Sequence, residues 1–236
     1  MGFEVFKDRI NSLTGYEDST ANNSALADWF TDGAREVINL LPPELLLKCA
    51  TETVANASEL SDFDTRGAIM GITRSDGTRE QPCREIPGVF RGRASDSTDL
   101  MFYVTSRDPV FWKWNNVLGV YPEGSVVIQH ISYPVFDITG SGDNVDVVLD
   151  KKVPNFPDEV EYLVVLYVSI KAAQSLLASE EDDDLYVPMI NTLKSDYMLG
   201  LQAMGSKLEG QKQKKETDSN RQMKALLSQM LEYGKQ

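Results

Sequence analysis

Apolar residues recur at helical spacing near both ends of this chain and at alternate positions through its middle. Phe3, Phe6, Ile10 and Leu13 mark a short first helix that Thr14-Gly15-Tyr16 ends. Leu26, Trp29, Phe30, Ala34, Val37, Ile38 and Leu41 mark one face of a second helix, which Ser24 or Asn23 can cap and Pro42-Pro43 stops. The run from Glu44 to Val54 fits helix or strand. Beyond it the pattern becomes one of strands and turns. Arg66 to Arg74 and Arg79 to Ile86 flank Ser75-Asp76-Gly77-Thr78, where Asp-Gly supplies the positive φ of a tight hairpin. Leu100 to Thr105 is a further strand candidate. Val110 to Trp114 and Val117 to Tyr121 flank Asn115-Asn116, a pair that tolerates the left-handed region and predicts a second hairpin. Ser125 to Tyr133 and Val145 to Leu149 complete the strand-like middle.

The pattern changes again at Asn155-Phe156-Pro157-Asp158-Glu159. A proline suits a first helical turn, where its missing N–H would have had no partner, and the acids suit the positive end of the helix dipole. A helix starting close to Pro157 therefore runs to about Ser179. Val160, Leu163, Val164, Leu166, Tyr167, Val168, Ile170, Ala172, Ala173, Leu176 and Leu177 cover most of its circumference, as in a helix buried on nearly all sides. Ser169, Lys171, Gln174 and Ser175 interrupt the run, which argues for a core helix over a bilayer span of roughly 20 apolar residues. After the acids Glu180 to Asp184, the residues Met189, Ile190, Leu193, Tyr197, Met198, Leu201 and Met204 predict a return helix with Pro188 in its first turn.

The fold class that follows is α+β: an antiparallel helical bundle built from both ends of the chain, with an antiparallel β-domain inserted and an extended C-terminal tail. Residues 1–42 give the N-terminal helices, 43–154 the β-rich insertion, 155–204 the central and return helices, and 205–236 the tail. In the tail a polar spacer precedes Met223, Leu226, Leu227, Met230 and Leu231, spaced i, i+3, i+4, i+7 and i+8. That stripe is too short to be stable alone; it fits a last helix packed on its own domain or, as the polar spacer before it favours, a helix docking in a groove of a partner or neighbouring subunit.

Charge narrows the partners. The formal net charge is −13, yet from Gly205 onward seven Lys/Arg face four Asp/Glu, so the acid lies in the body. An acidic body repels phosphate backbones, which disfavours sequence-specific nucleic-acid binding. Cys49 and Cys83 show no metal-ligand spacing, and the Met1 to Asp8 stretch has no signal-peptide pattern.

Chemical signatures are sparse. His130 sits in a strand-like segment with no nucleophile arranged for it, Glu180 to Asp184 lacks the alternating ligands and central glycine of a calcium loop, and Thr139-Gly140-Ser141-Gly142-Asp143 lacks the lysine of a phosphate loop. No catalytic residue, cofactor or metal is expected, and an enzyme is disfavoured. Trp112 and Trp114, two apart on one strand, suit core packing or a subunit contact; with Tyr103 they also form the basis of an alternative, a carbohydrate- or receptor-binding face.

Taken in order, Arg74-Ser75-Asp76-Gly77, Pro82-Cys83-Arg84-Glu85-Ile86-Pro87, Arg107-Asp108-Pro109-Val110-Phe111, Val120-Tyr121-Pro122, Tyr133-Pro134, Phe156-Pro157-Asp158-Glu159 and Tyr162 to Tyr167 resemble the head-to-tail adaptor proteins of tailed bacteriophages, also called connector or head-completion proteins. The similarity covers most of Met1 to Met204. It implies a virion structural protein at the head-tail junction, assembled in the host cytoplasm as a ring, dodecameric in such proteins, beneath the portal. Double-stranded DNA would pass through without sequence-specific binding, and neck or tail proteins would dock below. The resemblance assigns portal binding to the C-terminal stripe of Met223, Leu226, Leu227, Met230 and Leu231. It leaves Trp112, Trp114 and Tyr103 as candidates for a subunit or neck interface.

Overall fold

Two compact units make up the computed structural model of the chain, one mainly helical and one mainly of sheet. The structure describes residues 4–17, 19–56, 59–60, 68–99, 101–115, 117–180 and 184–204. The tail stripe Met223, Leu226, Leu227, Met230 and Leu231 therefore lies outside the described residues. The expected α+β class is what the chain adopts.

The helical unit comprises Met1–Pro42, Phe136–Lys152 and Asp158–Gln236. Its helices are α1 (Phe6–Thr14) and α2 (Thr20–Leu40), then, after the sheet unit, α4 (Glu161–Glu180) and α5 (184–204); the short α3 (Pro43–Leu46) belongs to the other unit. Ser19, and not Ser24 or Asn23, caps α2, its hydroxyl accepting from the Asn22 N–H at 3.1 Å. Asn23 is instead buried one turn in. Phe6, Phe30 and Phe136 form an aromatic core, with ring centroids 5.0 Å apart for Phe6 and Phe30 and 5.1 Å for Phe30 and Phe136. Phe136 comes from the segment expected to close the β-domain. Residues 136–152, with the two-stranded parallel pair β9 (Phe136–Asp137) and β10 (Val145–Asp146), group with the helices and not with the β-rich insertion that the sequence pattern extends to 154.

Helix α4 is the centre of this unit. It begins at Glu161, four residues later than Pro157 suggests, because Asn155 turns into the left-handed region at φ 51° and residues 158–160 form a turn, with Leu163 N–H donating to Val160. Leu163, Val164, Val165, Val168, Ile170, Ala172 and Ala173 are buried against α1 and α2. By length and composition alone Glu161–Ser179 is apolar enough to cross a membrane, at a mean hydropathy of 1.4, despite its polar interruptions. Its packing among the other helices accounts for that composition. Gly33 lets α2 approach it, since a Cβ there would stand 2.7 Å from the Tyr167 ring. The α1 residue Arg9 pairs with Glu161 at 2.7 Å, tying the first helix to the first turn of α4.

Helix α5 returns antiparallel to α4, as expected: Gly200 lies against Tyr162 and Leu163, and Tyr197 lies near Tyr167. Its buried stripe is Tyr186, Ile190, Leu193 and Tyr197, and Met198 is outside it at 56 % exposure. The described helix already runs from 184, a turn ahead of Pro188.

The sheet unit comprises Pro43–Val135 and Val153–Pro157. The ambiguous Glu44 to Val54 run splits between helix and strand: α3 and a 3₁₀ turn, Leu47–Cys49, lead into β1 (Ala50–Ala55). The remaining strands are β2 (Glu59–Leu60), β3 (Ile69–Ser75), β4 (Glu80–Pro82), β5 (Arg84–Glu85), β6 (Val110–Trp114), β7 (Val117–Tyr121) and β8 (Ser125–Ile131). They form two four-stranded sheets, ordered β1-β8-β3-β4 and β2-β7-β6-β5. Both expected hairpins are present, with Ser75 opposite Glu80 around Gly77 at φ 85°, and Trp114 opposite Val117 around Asn115 at φ 48°. All pairings are antiparallel except β5 with β6. Ile72, Val126 and Ile128 of one sheet meet Phe111, Leu118 and Val120 of the other, so the two sheets share one apolar layer.

The sequence pattern predicts a strand over Leu100 to Thr105; Leu100 lies outside the described residues, and 101–105 do not form one. The Asp99 carboxylate accepts from the N–H groups of Met101 and Phe102, both at 3.0 Å, and the Asp99 carbonyl accepts from Tyr103. Those bonds wind the backbone into a turn that no neighbouring strand could pair with.

Candidate interaction surface

The outer face of the second sheet carries its own small core. Val110 and Trp112 of β6 point away from the shared layer, and Ile86, Ala94, Phe102 and Val104 cover them. A six-residue 3₁₀ helix, Gly88–Arg93, lies along this face. Gly88 allows its close approach, because a Cβ there would stand 2.7 Å from the Lys113 carbonyl and 2.9 Å from the Trp114 ring.

This arrangement separates the two tryptophans that sequence spacing places together. Trp112 is 6 % exposed and packs in the core over Gly119, its cross-strand partner. Trp114, at the end of the same strand, is 40 % exposed with the Arg91 guanidinium 5.1 Å from its ring centroid. Tyr103 is also exposed. Of the three aromatic candidates, then, Trp112 serves the fold and only Trp114 and Tyr103 offer surface.

Sequence reasoning missed the neighbours that complete this surface. Phe90 stacks on Phe102 with centroids 4.5 Å apart, and Arg93 lies over both rings while pairing with Asp99. Exposed Val89 and Arg91 flank Phe90 in the chain; exposed Met101 and Tyr103 flank Phe102. Four exposed side chains thus adjoin the stacked pair along the chain. The signal was the alternation of apolar and basic residues in Val89-Phe90-Arg91-Gly92-Arg93, bounded by Pro87.

Other candidates resolve into structural roles. The His130 ring bonds Thr53 Oγ1 at 3.0 Å across the β1–β8 pair. Arg74, 6 % exposed, donates to the Pro122 carbonyl at 2.8 Å and to Glu123 at 2.6 Å, pinning the turn between β7 and β8. Asp137 collects the N–H groups of Thr139, Gly140 and Ser141 and the Asn144 amide, so the glycine-rich turn is folded around a carboxylate and not around a phosphate. These bonds, that of Asn144 foremost, hold its carboxyl below the usual range. Burial pushes both Cys49 and Cys83 up to about 11, a value that leaves neither thiol nucleophilic near neutrality. Among the described residues no group of three or more His, Cys, Asp or Glu could hold a metal ion. A cavity of about 40 Å³ beside Lys7, Asn11, Tyr16 and Leu26 has room for water, far below the several hundred Å³ of a typical ligand site.

No protein-family model matches the chain, and no curated protein matches it either.

Proposed function

We propose that the chain is a virion structural protein, a head-to-tail adaptor that forms a ring beneath the portal of a tailed phage, extends the DNA channel and docks the neck or tail. The observation that carries this reading is the architecture: one helical unit assembled from both ends of the chain, with a separate sheet unit inserted in it. That division suits a protein that must hold its neighbours with one part and present a docking face with another. The concentration of acid in the body suits a channel past which DNA slides without sticking. The portal anchor in this reading is the C-terminal stripe Met223, Leu226, Leu227, Met230 and Leu231.

The test is the mass of the protein alone and mixed with a portal ring, by light scattering, with and without residues 211–236. A tail-dependent jump to a single large species is the expected outcome. Portal binding undiminished by the truncation would remove the anchor, and indifference of the whole chain to portal would remove the adaptor.

The alternative of a carbohydrate- or receptor-binding face rests on Trp114 and Tyr103 alone once Trp112 is in the core. It predicts a saccharide-dependent quench of tryptophan fluorescence.

A further inference from the structure

The two units differ in charge as well as in fold. Through residue 204 the segments of the helical unit hold seven Lys/Arg against twenty Asp/Glu, whereas the segments of the sheet unit hold nine against twelve. Within the sheet unit, residues 84–113 reverse the sign, with five Lys/Arg and four Asp/Glu. Arg84, Arg93 and Lys113 are engaged by Asp108, Asp99 and Glu85. Among the described residues Arg91 makes no ion pair and instead lies over Trp114. Its Nη1 donates to the Gly88 carbonyl at 3.0 Å, and the remaining N–H groups of a guanidinium held against an indole can meet a carboxylate; such Arg and Trp residues are frequent at the centres of protein interfaces.

Around that pair the surface is unusually apolar: Val89 is 62 % exposed, Met101 74 %, Tyr103 43 % and Trp114 40 %. Exposed apolar side chains on segments that meet at the Phe90–Phe102 stack and the Arg91–Trp114 contact suit a contact surface. Its complement is present on the same chain. On α2, Asp28, Asp32 and Glu36 stand four residues apart on one exposed stripe, and Leu40, the next position, is 50 % exposed. Like charges at this spacing repel, and a cation brought between them removes that penalty. Arg35 borders the row and Lys171 lies over the Tyr167 ring nearby, yet the local field is negative enough that Glu36 and Asp32 add to the burial that raises the Tyr167 phenol.

We propose that the face formed by Val89, Arg91, Met101, Tyr103 and Trp114 docks on the Asp28, Asp32, Glu36 and Leu40 stripe of a second copy of this chain. The apolar residues supply area and Arg91 supplies register against the carboxylates. Because the two surfaces differ, the contact is heterologous, and its repetition closes into a ring or runs on as a filament. This deepens the adaptor reading and rests on it for the closed form, but it concerns self-association and leaves the portal anchor aside.

The test uses the full chain. Sedimentation over a wide concentration range should show self-association that high salt weakens. Arg91→Glu should weaken it about tenfold or more, as should Asp32→Arg, and the two together should recover much of the loss. As a check that does not depend on those variants folding, a photo-crosslinking residue in place of Tyr103, in a mixture of light and heavy isotope-labelled chains, should join one copy to α2 of another. A chain monomeric throughout, crosslinks between copies that avoid α2, or association indifferent to Arg91→Glu in a folded variant would each overturn the proposal. A saccharide quench of Trp114 without self-association would give the face to a ligand and overturn it too. Failure of the portal experiment would instead leave this contact standing.

Discussion

The indole of Trp112 occupies the space that a side chain on Gly119 would fill, so that a Cβ built there would overlap Cε2, Cζ2 and Nε1 of the ring. The two residues face each other across the β6–β7 hairpin, and the glycine is what allows the largest side chain of the outer core to lie against the sheet. Gly119→Ala should therefore destabilise the sheet unit by about 1–3 kcal/mol, the cost of overpacking a filled site. Urea denaturation followed by tryptophan fluorescence measures it. An unchanged midpoint would show that the ring moves freely.

Tyr197 Oη donates to Glu36 Oε1 at 2.9 Å, joining α5 to α2. Burial first, then this bond and the charge of Glu36, raise the phenol well above its ordinary value. The folded state thus keeps its proton when the unfolded chain has lost it. The associated stability is fully present below a pH of about 10 and is lost as pH rises beyond it. Tyr197→Phe should cost about 1 kcal/mol at neutral pH and flatten the alkaline decline. Unfolding curves at stepped alkaline pH would reveal both effects.

Asp137 behaves in the opposite sense. Its carboxyl is held low in the folded state by Asn144 and the turn N–H groups, so its contribution is present above a pH of about 4 and fades as pH falls further. Asp137→Ala should lower the thermal midpoint at pH 7, with the gap to the wild-type chain narrowing in acid. A gap of constant size would assign the effect to packing.

With both thiols at about 11, roughly one in a thousand is ionised at pH 8. Alkylation of Cys49 and Cys83 should be slow in the folded protein and fast in urea. Rapid labelling of Cys49 without denaturant would mean that its burial is transient.

The features legible in the sequence are the local ones. The α2 and α4 cores follow from helical spacing, and the hairpins at Gly77 and Asn115 from residues that tolerate positive φ. What was not legible depends on partners far away in the chain. Nothing near β3 says that it pairs with β8, and nothing near Phe136 says that it completes a core with Phe6 and Phe30. Trp112 and Trp114 share a strand face by spacing, but only the coverage by Ile86, Ala94, Phe102 and Val104 decides that one is core and the other surface. The turn that replaces a strand after Asp99 shows the same limit, for there a single carboxylate outweighs the apolar pattern.

The insertion of the sheet unit between α2 and β9 also sets an order of events during synthesis. When Leu40 leaves the ribosome, α1 and α2 have most of their apolar faces without partners, because α4 lies beyond residue 160. The intervening 43–135 segment contains every described strand of both four-stranded sheets, so it can form them first, with Val153–Pro157 joining that unit later. Once folded it is no longer a flexible loop whose closure must be won by chance. Chain order thus lets the middle be built before the ends, with the first helices left waiting for the segment that buries them.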